Sequence, residues 1–106
     1  MKIIKLALII GFMSGVAVAA ASEQMVSQKG RHFSISEATV KKGDTLVFVN
    51  DDNISHNVLS TTPGNEFNLK SQAPGTSIPV TFDTVGDIKI ICAIHPAMQM
   101  TVKVTE

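Results

Sequence analysis

The 106-residue sequence contains no tryptophan, no tyrosine and only one cysteine. Aromatic residues make up 5% of the chain, so few side chains are available to stack on nucleic-acid bases. Nine Lys and Arg residues balance nine Asp and Glu residues, and the positive excess that nucleic-acid binding requires is missing. A single cysteine excludes an internal disulfide, and the length supports only one compact domain. These absences argue against a nucleic-acid partner and against a multidomain enzyme.

The N-terminal segment has the pattern of an export signal. Lys2 and Lys5 precede an apolar run from Leu6 to Val18, and small residues follow as far as Ala21. The run is too short for a membrane-spanning helix, and the small residues are typical of a signal-peptidase site. We expect residues 1–21 to be a secretory signal peptide that is cleaved after Ala21. The mature protein would then be a single periplasmic domain, residues 22–106, without membrane insertion.

Residues 22–106 show short alternations of apolar and polar residues, separated by turn residues. The segment from Thr45 to Asn50 is rich in β-branched and aromatic residues, and the segment from Thr101 to Thr105 alternates strictly. No stretch shows helical periodicity. The pattern predicts an all-β fold, an antiparallel Greek-key sandwich of seven to eight strands in two sheets. The expected core residues are Ile35, Val40, Leu46, Phe48, Val58, Val80, Phe82, Ile88, Ile90, Val102 and Val104.

Residues that can bind a metal concentrate near the C-terminus. Cys92, His95 and Met98 fall in one short segment, predicted to be a loop between two strands, and His56 lies far upstream. An exported protein seldom keeps an unpaired thiol, so Cys92 calls for a functional explanation, although an isolated cysteine is more often a small buried apolar residue. A thiolate with two imidazoles and a weak thioether is the ligand set of a mononuclear copper electron-transfer site. Pro96 would stiffen the loop between these donors.

The sequence resembles the type 1 copper proteins of the cupredoxin family, close to the amicyanin, plastocyanin and pseudoazurin group. The resemblance rests on the segment from Val40 to Asn50, on Asp52, on His56-Asn57-Val58 and on the Cys-x-x-His-Pro-x-Met motif that begins at Cys92. It implies a cupredoxin-like sandwich with one copper ion bound by His56, Cys92 and His95. It also implies that the backbone N–H of Asn57 points at the thiolate, while the side chain of Asn57 ties the two ligand loops together.

The position of the fourth, axial ligand is open between two methionines. Met98 follows Cys92 by six residues, as in amicyanin, whereas Met100 follows it by eight, as in plastocyanin and pseudoazurin. We expect Met98 to be the ligand, because Met100 fits the two-residue alternation of the last predicted strand together with Val102 and Val104. Met100 remains the alternative.

The predicted ligands leave no position for a substrate, and the sequence has no Ser-His-Asp arrangement or phosphate-binding loop, so we do not expect an enzyme. The expected function is one-electron transfer by a monomeric periplasmic protein that cycles between Cu(I) and Cu(II). The resemblance implies that His95 faces the partner within an apolar patch formed by Ile94, Pro96 and Ala97. It also suggests redox protein partners, a dehydrogenase as donor and a c-type cytochrome as acceptor.

Two other functions are compatible with parts of this pattern. The same soft donors suit a periplasmic copper-binding protein that delivers or buffers the metal. A structural or adhesive sandwich, in which the cysteine and histidines are incidental, would bind no stoichiometric copper.

Overall fold

The computed structural model describes residues 22–106, and the predicted signal peptide lies outside the described residues. In the described part of the chain no helix is long and apolar enough to cross a membrane. The secondary structure of residues 22–106 consists of nine β-strands: β1 (Glu23–Lys29), β2 (His32–Phe33), β3 (Glu37–Lys41), β4 (Thr45–Asn50), β5 (Val58–Ser60), β6 (Phe67–Asn68), β7 (Ser77–Thr81), β8 (Gly86–Cys92) and β9 (His95–Thr105).

The strands form two sheets, one of four strands in the order β2-β1-β4-β7 and one of five in the order β3-β9-β8-β5-β6. Alternate residues of each long strand face inward, as the six residues of β4 show, where every second side chain is buried. The buried faces of the two sheets pack against each other and form a two-layer sandwich. The all-β fold predicted from the sequence is confirmed.

The pairing differs in part from the predicted antiparallel arrangement. β1 runs parallel to β4, with Glu23 opposite Thr45, and β3 runs parallel to β9, with Glu37 opposite Thr101. The structure therefore has two mixed sheets and nine strands instead of seven or eight. β1 was not predicted, because only Val26 and Gln28 of its seven residues are buried and its sequence shows no apolar alternation.

The core lies between the sheets, and most of its predicted members are buried. Val80 is only partly buried, and Ile35 is 36% exposed. Ile35 was misassigned because the strand that begins at His32 ends at Phe33, so the alternation does not continue through Ile35. The buried apolar residues are Val26, Phe33, Ala38, Val40, Leu46, Phe48, Val58, Phe82, Ile88, Ile90, Cys92, Met98, Met100, Val102 and Val104.

Candidate metal centre

Cys92 and His95 lie at the two sides of a tight connection between β8 and β9. Cys92 is the last residue of β8, His95 is the first residue of β9, and only Ala93 and Ile94 lie between the strands. The prediction of a loop for the segment of Cys92, His95 and Met98 is therefore wrong, because pairing with β8 extends β9 back to His95. The register shifts at Ile91 and Cys92, and this irregularity places Cys92 opposite His95.

His56 reaches the same end of the sandwich from another part of the chain. It precedes β5, and the pairing of Val58 with Cys92 brings the start of β5 alongside the end of β8. The backbone of His56 is held by an isolated antiparallel bridge to Gln72. Strand pairing and this bridge thus bring His56 to Cys92 and His95, from which it is 36 and 39 residues distant in sequence.

The three predicted donors converge. Nδ1 of His56 lies 3.7 Å from Sγ of Cys92, Nδ1 of His95 lies 3.8 Å from the same sulfur, and the two nitrogens are 3.2 Å apart. The point equidistant from these three atoms is about 2.1 Å from each, close to the roughly 2.0–2.3 Å of metal bonds to imidazole and thiolate. His56 and Cys92 are buried, whereas His95 is partly exposed. The cluster therefore fits one metal ion.

The ring of His56 is oriented by Asp52. Nε2 of His56 lies 2.9 Å from Oδ2 of Asp52, so the Nε2–H donates a hydrogen bond to the carboxylate and the Nδ1 lone pair faces the cluster. This contact with His56, together with a hydrogen bond from the backbone N–H of Arg31, lowers the pKa of Asp52 to about 2. Asp52 belongs to the matching motif, but no role was predicted for it; its spacing of four residues from His56 was the available signal.

The sulfur of Cys92 has a backbone donor. The N–H of Asn57 points at Sγ across 3.2 Å, and the carbonyl of Asn57 accepts a 2.9 Å hydrogen bond from the N–H of Ala93. The predicted direction of the Asn57 N–H is therefore present. The predicted role of its side chain is wrong, because the amide of Asn57 donates instead to Oδ1 of Asn68 at 2.7 Å. The two ligand segments are tied through the backbone.

Both methionines lie on the inward face of β9. Met98 and Met100 are almost fully buried and alternate with exposed neighbours. Met100 pairs with Ile90 and Gln99 pairs with Ile91, so Met98 lies two residues nearer than Met100 to the Cys92 end of the hairpin. Because successive inward residues of a strand are about 7 Å apart, Met98 lies closer along β9 to the cluster than Met100 does.

The surface beside the cluster is apolar. Ile94 is 57% exposed, Pro96 and Ala97 are also exposed, and His95 is partly exposed among them. All four residues predicted for this patch therefore lie next to one another at the end of the sandwich that carries the cluster. His32, which the sequence analysis left out of the site, is exposed on β2.

Comparisons with known proteins agree with this geometry. The family described as copper binding proteins, plastocyanin/azurin family, matches residues 19–105. Two curated relatives are named methylamine utilization protein MauL. The one from Methylophilus methylotrophus is 38% identical over 60 residues, or 54% of this chain and 34% of the relative. The one from Methylorubrum extorquens is 36% identical over 61 residues, or 57% of this chain and 54% of the relative. The matches thus span about half of this chain, and at most about half of each relative.

Solved structures share the fold over most of the chain. A reduced amicyanin variant is 26% identical with a TM-score of 0.69, and the match covers 86% of this chain and 88% of that chain. A purple cupredoxin from Nitrosopumilus maritimus, at 22% identity and a TM-score of 0.69, covers 77% of this chain and 99% of that chain. A copper-containing nitrite reductase from Thermus scotoductus, at 25% identity and a TM-score of 0.74, covers 86% of this chain but only 25% of that chain.

Proposed function

Because the chain belongs to the plastocyanin/azurin family of copper-binding proteins, we propose that it is a periplasmic electron-transfer protein with one type 1 copper ion, bound by His56, Cys92 and His95. The observation that carries the proposal is the convergence of two imidazole nitrogens and one thiol sulfur on a point about 2.1 Å from each. Copper bound there would supply a one-electron couple between Cu(I) and Cu(II). Zinc sites generally use more than one Cys or a third His, and this donor set favours copper.

Met98 is proposed as the weak axial ligand. Its burial and its place on β9, one residue beyond the position paired with Ile91, support Met98 over Met100. Two imidazoles, a thiolate and a thioether would fill the coordination sphere and leave no position for a substrate. We therefore propose a carrier of electrons and not an enzyme, although one structure with the same fold is a nitrite reductase of which this chain matches a quarter.

The contacts that support the site are made between protein groups and do not depend on a bound metal. Asp52 fixes the ring of His56, and the N–H of Asn57 would stabilise negative charge on the sulfur of Cys92. His56 and Cys92 are fully buried at the end of a packed sandwich. A site held this firmly suits a carrier, because little rearrangement would accompany each change of charge.

The exposed apolar patch of Ile94, Pro96 and Ala97 around His95 is proposed as the surface on which a redox partner docks. A small apolar face suits brief contacts, since transient redox complexes bury little area. The proposed partners are a dehydrogenase and a c-type cytochrome, by analogy with the relatives named for methylamine utilization. The protein itself is proposed to be a monomer between encounters.

A charge placed in this patch tests the docking role. Ile94→Glu should slow electron self-exchange between Cu(I) and Cu(II) copies by about tenfold or more, because each encounter would bury two like charges. Val85→Glu is the matched control: Val85 is 44% exposed and immediately precedes β8, whereas Ile94 follows its other end, about 20 Å away. Self-exchange is measured from the line widths of NMR signals in partly oxidised samples.

Equal slowing in the two variants would contradict docking at Ile94. Rapid loss of the reduced metal from the unaltered protein to a Cu(I) chelator, with no measurable self-exchange, would instead favour the alternative function of copper delivery or buffering. Unchanged visible spectra in both variants serve as the check that the metal centre itself is intact.

Export is proposed to remove residues 1–21. The backbone nitrogen of Ser22 lies 2.9 Å from Oδ1 of Asp44, and its hydroxyl donates to Oδ2 at 3.0 Å. Cleavage after Ala21 would turn this nitrogen into an ammonium group facing a carboxylate, a stronger contact than that of the uncut chain. The intact mass of protein from a periplasmic extract checks this: a chain beginning at Ser22 supports the proposal, and retention of residues 1–21 contradicts it.

A further inference from the structure

Three uncharged amide side chains are buried beside the segment that carries His56. Gln28 on β1, Asn50 at the end of β4 and Gln72 before β7 are at most 1% exposed. Burying an amide costs free energy unless its hydrogen-bonding groups find partners. Buried amides that cluster in this way are therefore expected to form hydrogen bonds that hold a particular part of the fold in place.

Gln72 is bonded through both its backbone and its side chain. Its backbone exchanges two hydrogen bonds with His56, one from the N–H of His56 at 3.1 Å and one to the carbonyl of His56 at 2.7 Å. Its side-chain Nε2 donates to the carbonyl of Phe48 at 2.8 Å and to that of Thr76 at 3.0 Å. Its Oε1 accepts from Nε2 of Gln28 at 2.9 Å. Gln72 thus links the backbone of His56 to the buried strand β4.

Asn50 holds the same segment from its other side. Its Nδ2 donates to the carbonyls of Ile54 and Gln72, at 2.9 and 2.8 Å, and its Oδ1 accepts from the N–H of Asp52 at 2.9 Å. Asp52 is the residue whose carboxylate orients the ring of His56. The two amides therefore restrain the segment that supplies both His56 and its carboxylate partner.

This restraint matters because His56 does not belong to a strand. Residues 51–57 connect β4 to β5, and the bridge to Gln72 is the one sheet-like pairing that the structure gives His56. Hydrogen bonds in a water-excluded interior are strong, and leaving a buried partner unsatisfied costs about 1–3 kcal/mol. A connection held in this way can keep one backbone conformation before any metal arrives.

We propose that Gln72, supported by Asn50, is a positioning residue that fixes His56 in its ligand orientation whether or not metal is bound. Gln72 itself is bonded to none of the three proposed metal-binding atoms; it acts by holding the backbone from which His56 projects. The inference rests on the proposed role of His56 as a ligand. It concerns the metal-free protein, however, so the measurement that would contradict it differs from the one that would contradict the ligand role of His56.

The first test uses the unaltered metal-free protein and needs no variant. Amide hydrogen exchange of His56 and Gln72, followed by NMR, should be as slow as that of the buried amides of β4. The reason is that these two amides should exchange only when the buried hydrogen-bond network of Gln72 and Asn50 opens. Exchange of the His56 amide at the rate of exposed turn amides would show that the segment is not fixed in advance, and would overturn the proposal.

The second test replaces the side chain and keeps the volume. Gln72→Met removes both donors and the acceptor, and we expect His56 amide exchange to accelerate by about tenfold more than that of β4, since the interactions lost are local to this segment. The EPR spectrum of the Cu(II) form should also change. Gln72→Glu should have a larger effect, because its carboxylate would face the carbonyls of Phe48 and Thr76.

Val104→Ala is the matched control. Val104 is buried and pairs with Gly86 at the end of the hairpin remote from Cys92, so its truncation lowers global stability without touching the His56 segment. This variant should leave the EPR spectrum and the relative protection of His56 unchanged. If Gln72→Met behaves like Val104→Ala in both readouts, Gln72 is merely structural. A wild-type protein that gives no copper-thiolate band would instead contradict the proposed ligand set, independently of these outcomes.

Discussion

The sulfur of Cys92 is the atom around which the other groups of the site are arranged. It lies 3.7 Å from Nδ1 of His56, 3.8 Å from Nδ1 of His95 and 3.2 Å from the backbone nitrogen of Asn57. A buried thiol with two imidazoles and an N–H donor at these distances is equipped to bind a soft metal ion as thiolate. The proposed metal centre therefore depends on individual atoms of a few residues.

The choice between the methionines is testable at this scale. Met98→Leu and Met100→Leu both conserve side-chain volume, so each should change the free energy of unfolding of the metal-free protein by less than about 1.5 kcal/mol. Only Met98→Leu should markedly change the reduction potential and the visible spectrum of the copper form, because the axial ligand tunes both. Cyclic voltammetry and absorption spectra of the two variants check this. A larger change for Met100→Leu would reverse the assignment.

Asp44 provides a prediction about pH. Hydrogen bonds from the backbone N–H groups of Lys41 and Ser22 hold the pKa of this carboxyl below its ordinary value of 3.8. A carboxyl with a lower pKa in the folded state stabilises the fold above its unfolded pKa, and this contribution is lost as the pH falls through the folded value. Asp44→Asn should therefore be less stable than the unaltered protein at pH 7, with the difference shrinking as the pH falls towards 3.

Urea unfolding of both proteins between pH 7 and pH 3 measures that difference. Two stability curves that stay parallel over the whole range would contradict the contribution assigned to Asp44. Asp87→Asn is a suitable comparison, since it makes the same substitution at an exposed position on β8.

The donor residues and the contact from the backbone N–H of Asn57 could be predicted from the sequence, whereas the buried amides that hold the His56 segment could not. His56, Cys92 and His95 carry chemistry that stands out by residue type and spacing in a chain with one cysteine and three histidines. Gln72 gives no such signal, because its role follows from burial and from bonds to backbone carbonyls far away in sequence. The side chain of Asn57 was misassigned because the pairing of β5 with the edge strand β6 brings Asn68 beside it, a contact that the sequence does not reveal.

At the scale of strands, β1 shows how tertiary context overrides a weak sequence pattern. Its sequence, EQMVSQK, contains two apolar residues, and only one of them is buried. The strand exists because it pairs in parallel with β4 over six residues and antiparallel with β2. Its backbone bonds, and not an apolar stripe, make it part of the sheet.

A matched pair of substitutions tests the place of β1 in the core. Val26→Ala removes two buried methyl groups and should lower the free energy of unfolding by about 2 kcal/mol. Met25→Ala, at the adjacent and 68% exposed position, should change it by less than about 0.5 kcal/mol. Chemical denaturation of the mature protein measures both values. Similar effects at the two positions would mean that β1 does not face the core as described.

The hairpin of β8 and β9 explains why strand boundaries near the site were mispredicted. Pro96 and the close spacing of the candidate ligands suggested a loop. In the structure, β9 begins at His95 and pairs with β8 up to the irregularity at Cys92. Proline is tolerated there because it falls in the part of β9 that the register shift leaves outside regular pairing. Cys92 and His95 are consequently held by strand ends, which are more rigid than a free loop.

At the scale of the whole molecule, the core and the site are separate sources of stability. Fifteen apolar residues are buried between the sheets, and most of them lie away from the donor cluster. The mature chain should therefore stay folded without metal, with a far-ultraviolet circular dichroism spectrum typical of β-sheet. Loss of that spectrum after exhaustive treatment with a chelator would show that the metal is needed for folding itself.

Metal binding should add to this stability by linkage. With free metal about 1,000-fold above its dissociation constant, the free energy of unfolding should rise by about 4 kcal/mol. For a domain of this size, this corresponds to a melting temperature higher by roughly 15–30 °C. Cys92→Ser should lose most of the increase, because the thiolate is the strongest donor. Thermal unfolding of both proteins with and without metal, followed by circular dichroism, provides the comparison.

Binding of copper by His56, Cys92 and His95 as a type 1 site would give the protein a characteristic visible absorption spectrum. Addition of one equivalent of Cu(II) to the purified mature protein should produce an intense copper-thiolate band, absent in Cys92→Ser, that bleaches with ascorbate and returns on reoxidation. No such band, with Cys92 still freely titratable by a thiol reagent, would show that these residues do not form a type 1 copper site.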